Sequence, residues 1–156
     1  PILVMAGNGG LALASGAMAW KWWPRGAMPG LLAVLLWGLA WAPLGFALSA
    51  LAVLIPGLGR APDHALLIGC AASLMVAMVT RVTHGHSGRE LAMSRAAWLG
   101  FAAVQAAAAI RMIAALRGED GRLLIGGAAL FALGLAPWAL RHIAIYLHPR
   151  IDGKPG

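Results

Sequence analysis

Five long apolar runs, separated by short polar or Pro/Gly-rich stretches, organise the chain. They extend from Ile2 to Trp20, Leu31 to Ile55, His64 to Val82, Ala96 to Leu116 and Leu123 to Leu147. Each has roughly the twenty residues that a helix needs to cross a hydrocarbon core of about 30 Å. Lipid offers no partner to backbone N–H and C=O groups, so runs of this length predict helices that satisfy those groups internally. The expected fold is all-α: a polytopic transmembrane helix bundle with about five spans, forming a single transmembrane domain over residues 1–156.

The breaks carry recognisable punctuation. "KWWPRGAMPG" (Lys21 to Gly30) combines charges, two prolines and a Trp pair suited to the membrane interface. "PGLGRAPD" (Pro56 to Asp63) is a Pro/Gly loop that ends in Asp63, a residue type able to cap the third helix. "RGEDGR" (Arg117 to Arg122) is a short polar turn, and "HPRIDGKPG" (His148 to Gly156) forms a terminal tail. Pro43 and Pro137 fall inside the second and fifth runs, where a proline removes a helix hydrogen bond and favours a kink. The chain opens at Pro1 inside an apolar run with no basic segment before it, so it reads as the C-terminal part of a longer protein rather than as a signal peptide.

Composition agrees with the pattern. Hydrophobic residues make up 61% and charged residues 11% of the chain, against about 25% charge in an ordinary soluble domain. The net charge of +7 comes from basic residues placed singly at the ends of apolar runs, which points to membrane-protein loops and not to nucleic acid. Lys21, Arg25, Arg81, Arg89, Arg95, Arg141, Arg150 and Lys154 fall on one side; Arg60, Arg111, Arg117 and Arg122 fall on the other. The positive-inside rule places the first side, with the C-terminus, in the cytoplasm. The lone Cys70 excludes an intrachain disulfide.

Chemistry has few places to reside. No acidic residue lies inside a run, and no serine, histidine and acid cluster in sequence, so hydrolytic catalysis lacks its usual parts. Five histidines remain, all at or near run ends, and histidine is both the commonest metal ligand and the usual proximal haem ligand. His64 and His86 bracket the third run about 33 Å apart at 1.5 Å per residue, too far to share one metal. Each is readable as a ligand or as an interfacial side chain.

In "TRVTHGHSGREL" (Thr80 to Leu91), Gly85 and Gly88 suit a helix end, and His84 with His86 forms either a two-histidine bite or a solvated turn. Arg81 and Arg111 are each readable as snorkelling cations or as partners for an acidic group such as a haem propionate. Cys70, Met75 and Met78 read as packing, and His142 and His148 as surface residues.

The segment His64 to Leu91, together with the closing "HPRIDGKPG", resembles the C-terminal half of the NnrS family of bacterial inner-membrane proteins. The matching residues are His64, Ala65 and Leu66 at the helix start, Thr80, Arg81 and Val82, then Gly85, His86, Ser87, Gly88 and Arg89 in the turn. In the tail they are Pro149, Arg150, Asp152, Gly153, Lys154, Pro155 and Gly156. Val79 departs from the family's usual Met, and His84 stands where the family usually has an apolar residue, which favours His86 over His84 as a ligand.

The resemblance implies a protein of about twelve spans that contains haem and copper and acts in nitric-oxide metabolism or nitrosative-stress tolerance. It makes His64 and His86 the metal-ligand expectations and Arg81 and Arg89 the cofactor-binding ones. Nitric oxide or a nitrosyl species, the lipid bilayer, and N-terminal helices or a partner subunit are the expected partners. A rival reading, without bound haem, is a small-molecule or metal transporter segment in which the histidines bind only transiently.

Overall fold

The computed structural model describes residues 1–153; Lys154, Pro155 and Gly156, the end of the closing motif, lie outside the described residues. Five helices are long and apolar enough to cross a membrane: α1 (Ile2–Trp22), α2 (Gly30–Leu51), α3 (Ala61–His86), α4 (Arg95–Leu116) and α5 (Gly121–Tyr146). No strand occurs among the described residues. The all-α, five-span expectation holds, with shifts of a few residues at the helix ends.

The largest shifts are in α2 and α3. The second helix ends at Leu51, before the run's apolar residues are exhausted, and a short 3-10 turn at Pro56–Leu58 follows. The third helix begins at Ala61 with Pro62 in its first turn, so Asp63 is not its cap. Asp63 instead stands 3.7 Å from Arg60, both largely exposed.

From His64 to Ala72 the helix of α3 has π geometry, and from Ser73 to His86 it is regular α-helix. Its end lies four residues beyond Val82, because Gly88 terminates it in a left-handed conformation (φ +71°). Arg89 N–H then reaches back to His84 O at 2.9 Å and Gly88 N–H to Gly85 O at 3.5 Å, the paired reverse bonds of a Schellman ending. Gly85, also expected in the turn, lies within the helix.

The same ending recurs after α4. Gly118 (φ +73°) and Glu119 N–H, bonded to Ala114 O at 2.9 Å, close that helix. Asp120 Oδ1 immediately caps α5 by accepting from Arg122 and Leu123 N–H.

The fourth helix packs along α5, α1 lies against α2, and α3 is held between α2 and α4 with a narrower contact to α5. Without a hydrophobic drive between helices in lipid, small residues let backbones approach. Ala103, Ala107 and Ala108 of α4 are buried, and a Cβ on Gly134 of α5 would lie 2.1 Å from Ala103 Cβ. The core around Val34, Val76, Phe101, Val104 and Trp138 joins α2, α3, α4 and α5. Outward positions such as Leu3, Leu13, Leu67, Leu99, Ile125 and Leu133 remain exposed, as a lipid-facing surface requires.

A polar clasp crosses this core. Trp41 Nε1–H of α2 donates to Gln105 Oε1 of α4 at 2.6 Å, and Gln105 Nε2–H donates to Ser73 Oγ of α3 at 2.6 Å. Ser73 is the first residue after the π segment, and the Trp41 indole lies over Gly69 within it.

Candidate metal centre

The helices α3 and α5 run in the same direction, with α4 returning between them. Each carries a four-residue step on its inner face: Thr80 and His84 on α3, Trp138 and His142 on α5. The step brings like positions together. Trp138 Nε1–H donates to Thr80 Oγ1 at 2.9 Å, and one turn further the imidazoles of His84 and His142 lie 12° from parallel with centroids 6.0 Å apart.

Both histidines are buried, His84 at 5% and His142 at 4% exposure, although the sequence reading placed His142 on the surface. The reason is register: four residues from Trp138 on the same helix, His142 shares the face that α3 covers.

Each ring is held by a backbone carbonyl. His84 Nδ1 is 2.7 Å from Glu90 O, which the turn at Gly88 folds back over the helix end, and His142 Nδ1 is 2.7 Å from Trp138 O. A carbonyl only accepts, so Nδ1 carries a proton in each ring and donates it to that oxygen. Nε2 of both residues is buried with no hydrogen-bond partner. Carbonyl-held Nδ1–H with a free Nε2 is the arrangement that orients metal-ligating histidines. The Trp138 indole backs His142, with centroids 4.8 Å apart.

The other sequence-singled residues fall in several places. His64 is buried at the opposite end of α3, its Nε2 also without a partner, with Arg60, Arg111, Asp63 and Glu119 as the surrounding charges. Arg111 donates from Nη1 to Leu124 O at 3.3 Å, while its buried Nε has no partner.

His86, the last residue of α3, is exposed on the wall of an open cavity of about 440 Å³, which Thr83, Tyr146, His148 and Arg150 also line. Arg81 is exposed beside Leu31, Leu35 and Ala77. Arg89 is half-buried, with Nη1 buried and unpartnered. His148 is exposed, and its Nδ1 is 2.6 Å from Ala144 O. His64 and His86 stay at opposite ends of one helix, and the structure brings neither to the His84–His142 pair.

The tail closes over the turn. Arg150 donates to His86 O at 2.7 Å and forks onto Asp152 at 2.9 and 2.6 Å, while Ile151 N–H reaches Ser87 O at 3.2 Å. The hydrogen bond to Asp152 holds the Arg150 guanidinium pKa above its ordinary value. Thr83 Oγ1–H donates to Tyr146 Oη at 3.1 Å beside this tail.

As a donor set, the pair offers two imidazole rings. No group of three or more His, Cys, Asp or Glu able to hold a metal occurs among the described residues. A four-ligand structural zinc site therefore does not fit.

Five helices long and apolar enough to cross a membrane, with buried imidazoles among them, define a multi-pass membrane protein. The family model described as NnrS protein matches residues 3–150, and the chain belongs to the NnrS family. Comparison with curated proteins and with solved structures gives no match.

Proposed function

We propose that this chain is an NnrS-like protein of the bacterial inner membrane, C-terminus in the cytoplasm, that binds haem and copper and serves nitric-oxide metabolism or nitrosative-stress tolerance. The observation that carries the reading is family membership over residues 3–150 in a chain that keeps three buried imidazoles, those of His64, His84 and His142, with free Nε2 atoms. Haem iron bound by imidazole is a suitable site for nitric oxide or a nitrosyl species. Helices N-terminal to this segment, or a partner subunit, would complete the outer walls.

For haem, the supporting geometry is the open cavity at His86, with a second imidazole, His148, on its wall. The partnerless Nη1 of Arg89 suits a propionate, to which a guanidinium offers a fork. Arg81 would serve the same chemistry from the exposed side of α3. His64 would supply a ligand at the opposite membrane face.

The test is an absorption spectrum of detergent-purified protein, oxidised and dithionite-reduced, with iron and copper measured on the same sample. A Soret band that shifts on reduction and responds to nitric oxide, and that His86→Ala removes, supports the reading. A colourless, metal-free protein that moves solute in liposomes would replace it with the transporter reading.

A further inference from the structure

Where the turn after α3 meets the end of α5, a cavity of about 280 Å³ opens beside the one at His86. Arg89 of the turn lines it, together with Arg141, Ala144, Ile145 and His148 from the end of α5. The spacing of the α5 residues puts them on one face of that helix. One cavity is thus lined by arginines from two separate elements.

Neither arginine has an acidic partner. The ion pairs among the described residues join Arg60 to Asp63 and Arg150 to Asp152, and no carboxylate lines the cavity. Arg89 Nη1 makes no hydrogen bond, and the Nδ1–H of His148 is given to Ala144 O at 2.6 Å. Two like charges at one opening, with no acid between them, favour an anion there.

The surroundings select the kind of anion. Arg141 lies on the last turns of α5, which ends at Tyr146, about 7 Å before that end at 1.5 Å per residue. Leu140, Ile143 and Leu147, its neighbours along the helix, are exposed apolar side chains. A charged group held at this level has a surface for hydrocarbon beside it and water beyond the helix end.

We infer that Arg89 and Arg141 hold the phosphodiester of an anionic phospholipid, with its headgroup in this cavity and its acyl chains along the exposed apolar side of α5. A guanidinium matches phosphate oxygens with a two-pronged fork, and basic pockets between spanning helices take anionic headgroups. The bound lipid ties the turn after α3 to α5, two elements whose helices touch only narrowly. Arg89 is also the residue whose N–H closes α3 on His84 O, so the lipid bears on the ending of that helix. The inference is independent of haem and copper: Arg141 has no part in the reading above, and Arg89 is given there to a propionate, an anion of the same chemistry.

The experiment is native mass spectrometry of the detergent-purified, delipidated full chain with phosphatidylglycerol, phosphatidylcholine or inorganic phosphate; any bound haem shows as its own mass increment. Arg141→Gln, Arg89→Gln, Arg89→Lys and Arg122→Gln are compared, with helix content and thermal unfolding recorded for each. Arg141 is exposed, so its replacement leaves the packing in place if the Arg89 variants fail to fold. Arg122, an exposed arginine at the opposite end of α5, is the control.

The expected result is one phosphatidylglycerol per chain, bound saturably and raising the thermal midpoint. Phosphatidylcholine binds about tenfold more weakly, and Arg141→Gln and Arg89→Gln each lose about tenfold in affinity for phosphatidylglycerol, the worth of one charge-assisted hydrogen bond. Arg89→Lys keeps part of the affinity, and Arg122→Gln matches the wild type. Equal affinity for the two lipids, or unchanged affinity in folded Arg141→Gln, overturns the site. Inorganic phosphate that stabilises the chain as well as phosphatidylglycerol does, and loses that effect in Arg141→Gln, overturns the lipid and makes the cavity a site for free phosphate.

Discussion

Trp138 of α5 gives its indole N–H to Thr80 of α3 at 2.9 Å, and both partners are buried where the two helices meet. This bond sets the register that brings His142 against His84 one turn further along. Thr80→Val keeps the shape of the side chain and removes the acceptor, stranding a buried donor. The expected cost is about 1–3 kcal/mol, read as earlier thermal unfolding in detergent. Thr80→Ser, which restores the oxygen, should recover most of it; a Thr80→Val protein as stable as the wild type would show that the indole N–H finds another partner.

Gly134 of α5 faces Ala103 of α4 so closely that an added Cβ would lie 2.1 Å from the alanine Cβ. Neither atom belongs to a flexible side chain, so only the helices can give way. Gly134→Ala should destabilise the bundle by about 1–3 kcal/mol or more, even though alanine is the better helix former by about 1 kcal/mol. Gly126→Ala on the same helix, with nothing within 4 Å of the added carbon, should be neutral or stabilising. Thermal midpoints of the two variants, measured side by side, decide the point.

The contrast between those glycines also marks how far sequence reasoning reaches here. Run length and composition place all five spans, because lipid imposes one rule on every residue of a run. The end of α3 is less legible: the charged and polar residues from Arg81 to His86 look like a loop, yet the helix continues until Gly88 supplies a left-handed residue. His84 and His142 are 58 positions apart in the chain, and no local pattern pairs them. The available signal was the matching four-residue step, Thr80 to His84 and Trp138 to His142, on two spans that cross in the same direction. Burial of His142 depends on which face of α5 meets α3, and a helix that is apolar nearly all round does not reveal its inward face in sequence.

Gly88 has φ +71°, and a Cβ there would lie 2.7 Å from the Asp152 carboxyl carbon. Gly88→Ala therefore meets two obstacles: a left-handed backbone costing about 1–2 kcal/mol and a collision with the tail. The expected outcome is faster proteolysis after His148 and faster amide exchange at Ile151, whose N–H is bonded to Ser87 O. Gly85→Ala, helical and 3.9 Å from its nearest neighbour, Leu91, should leave both rates unchanged. Equal tail protection in the two variants would mean that the turn does not hold the tail.

Gln105 joins Trp41 to Ser73 through two bonds of 2.6 Å, linking α2, α4 and the start of the regular part of α3. Ser73→Ala removes the acceptor from Gln105 Nε2, and Gln105→Leu strands the Trp41 N–H and leaves Ser73 to bond elsewhere. If the three side chains act as one network, the double variant should cost less than the two single variants added together, with a coupling of about 0.5–3 kcal/mol. Thermal unfolding of the four proteins in one detergent gives that cycle. Strict additivity would reduce the clasp to independent contacts, whereas a measured coupling would make Gln105 the residue through which α2 and α4 fix the π segment that begins at His64.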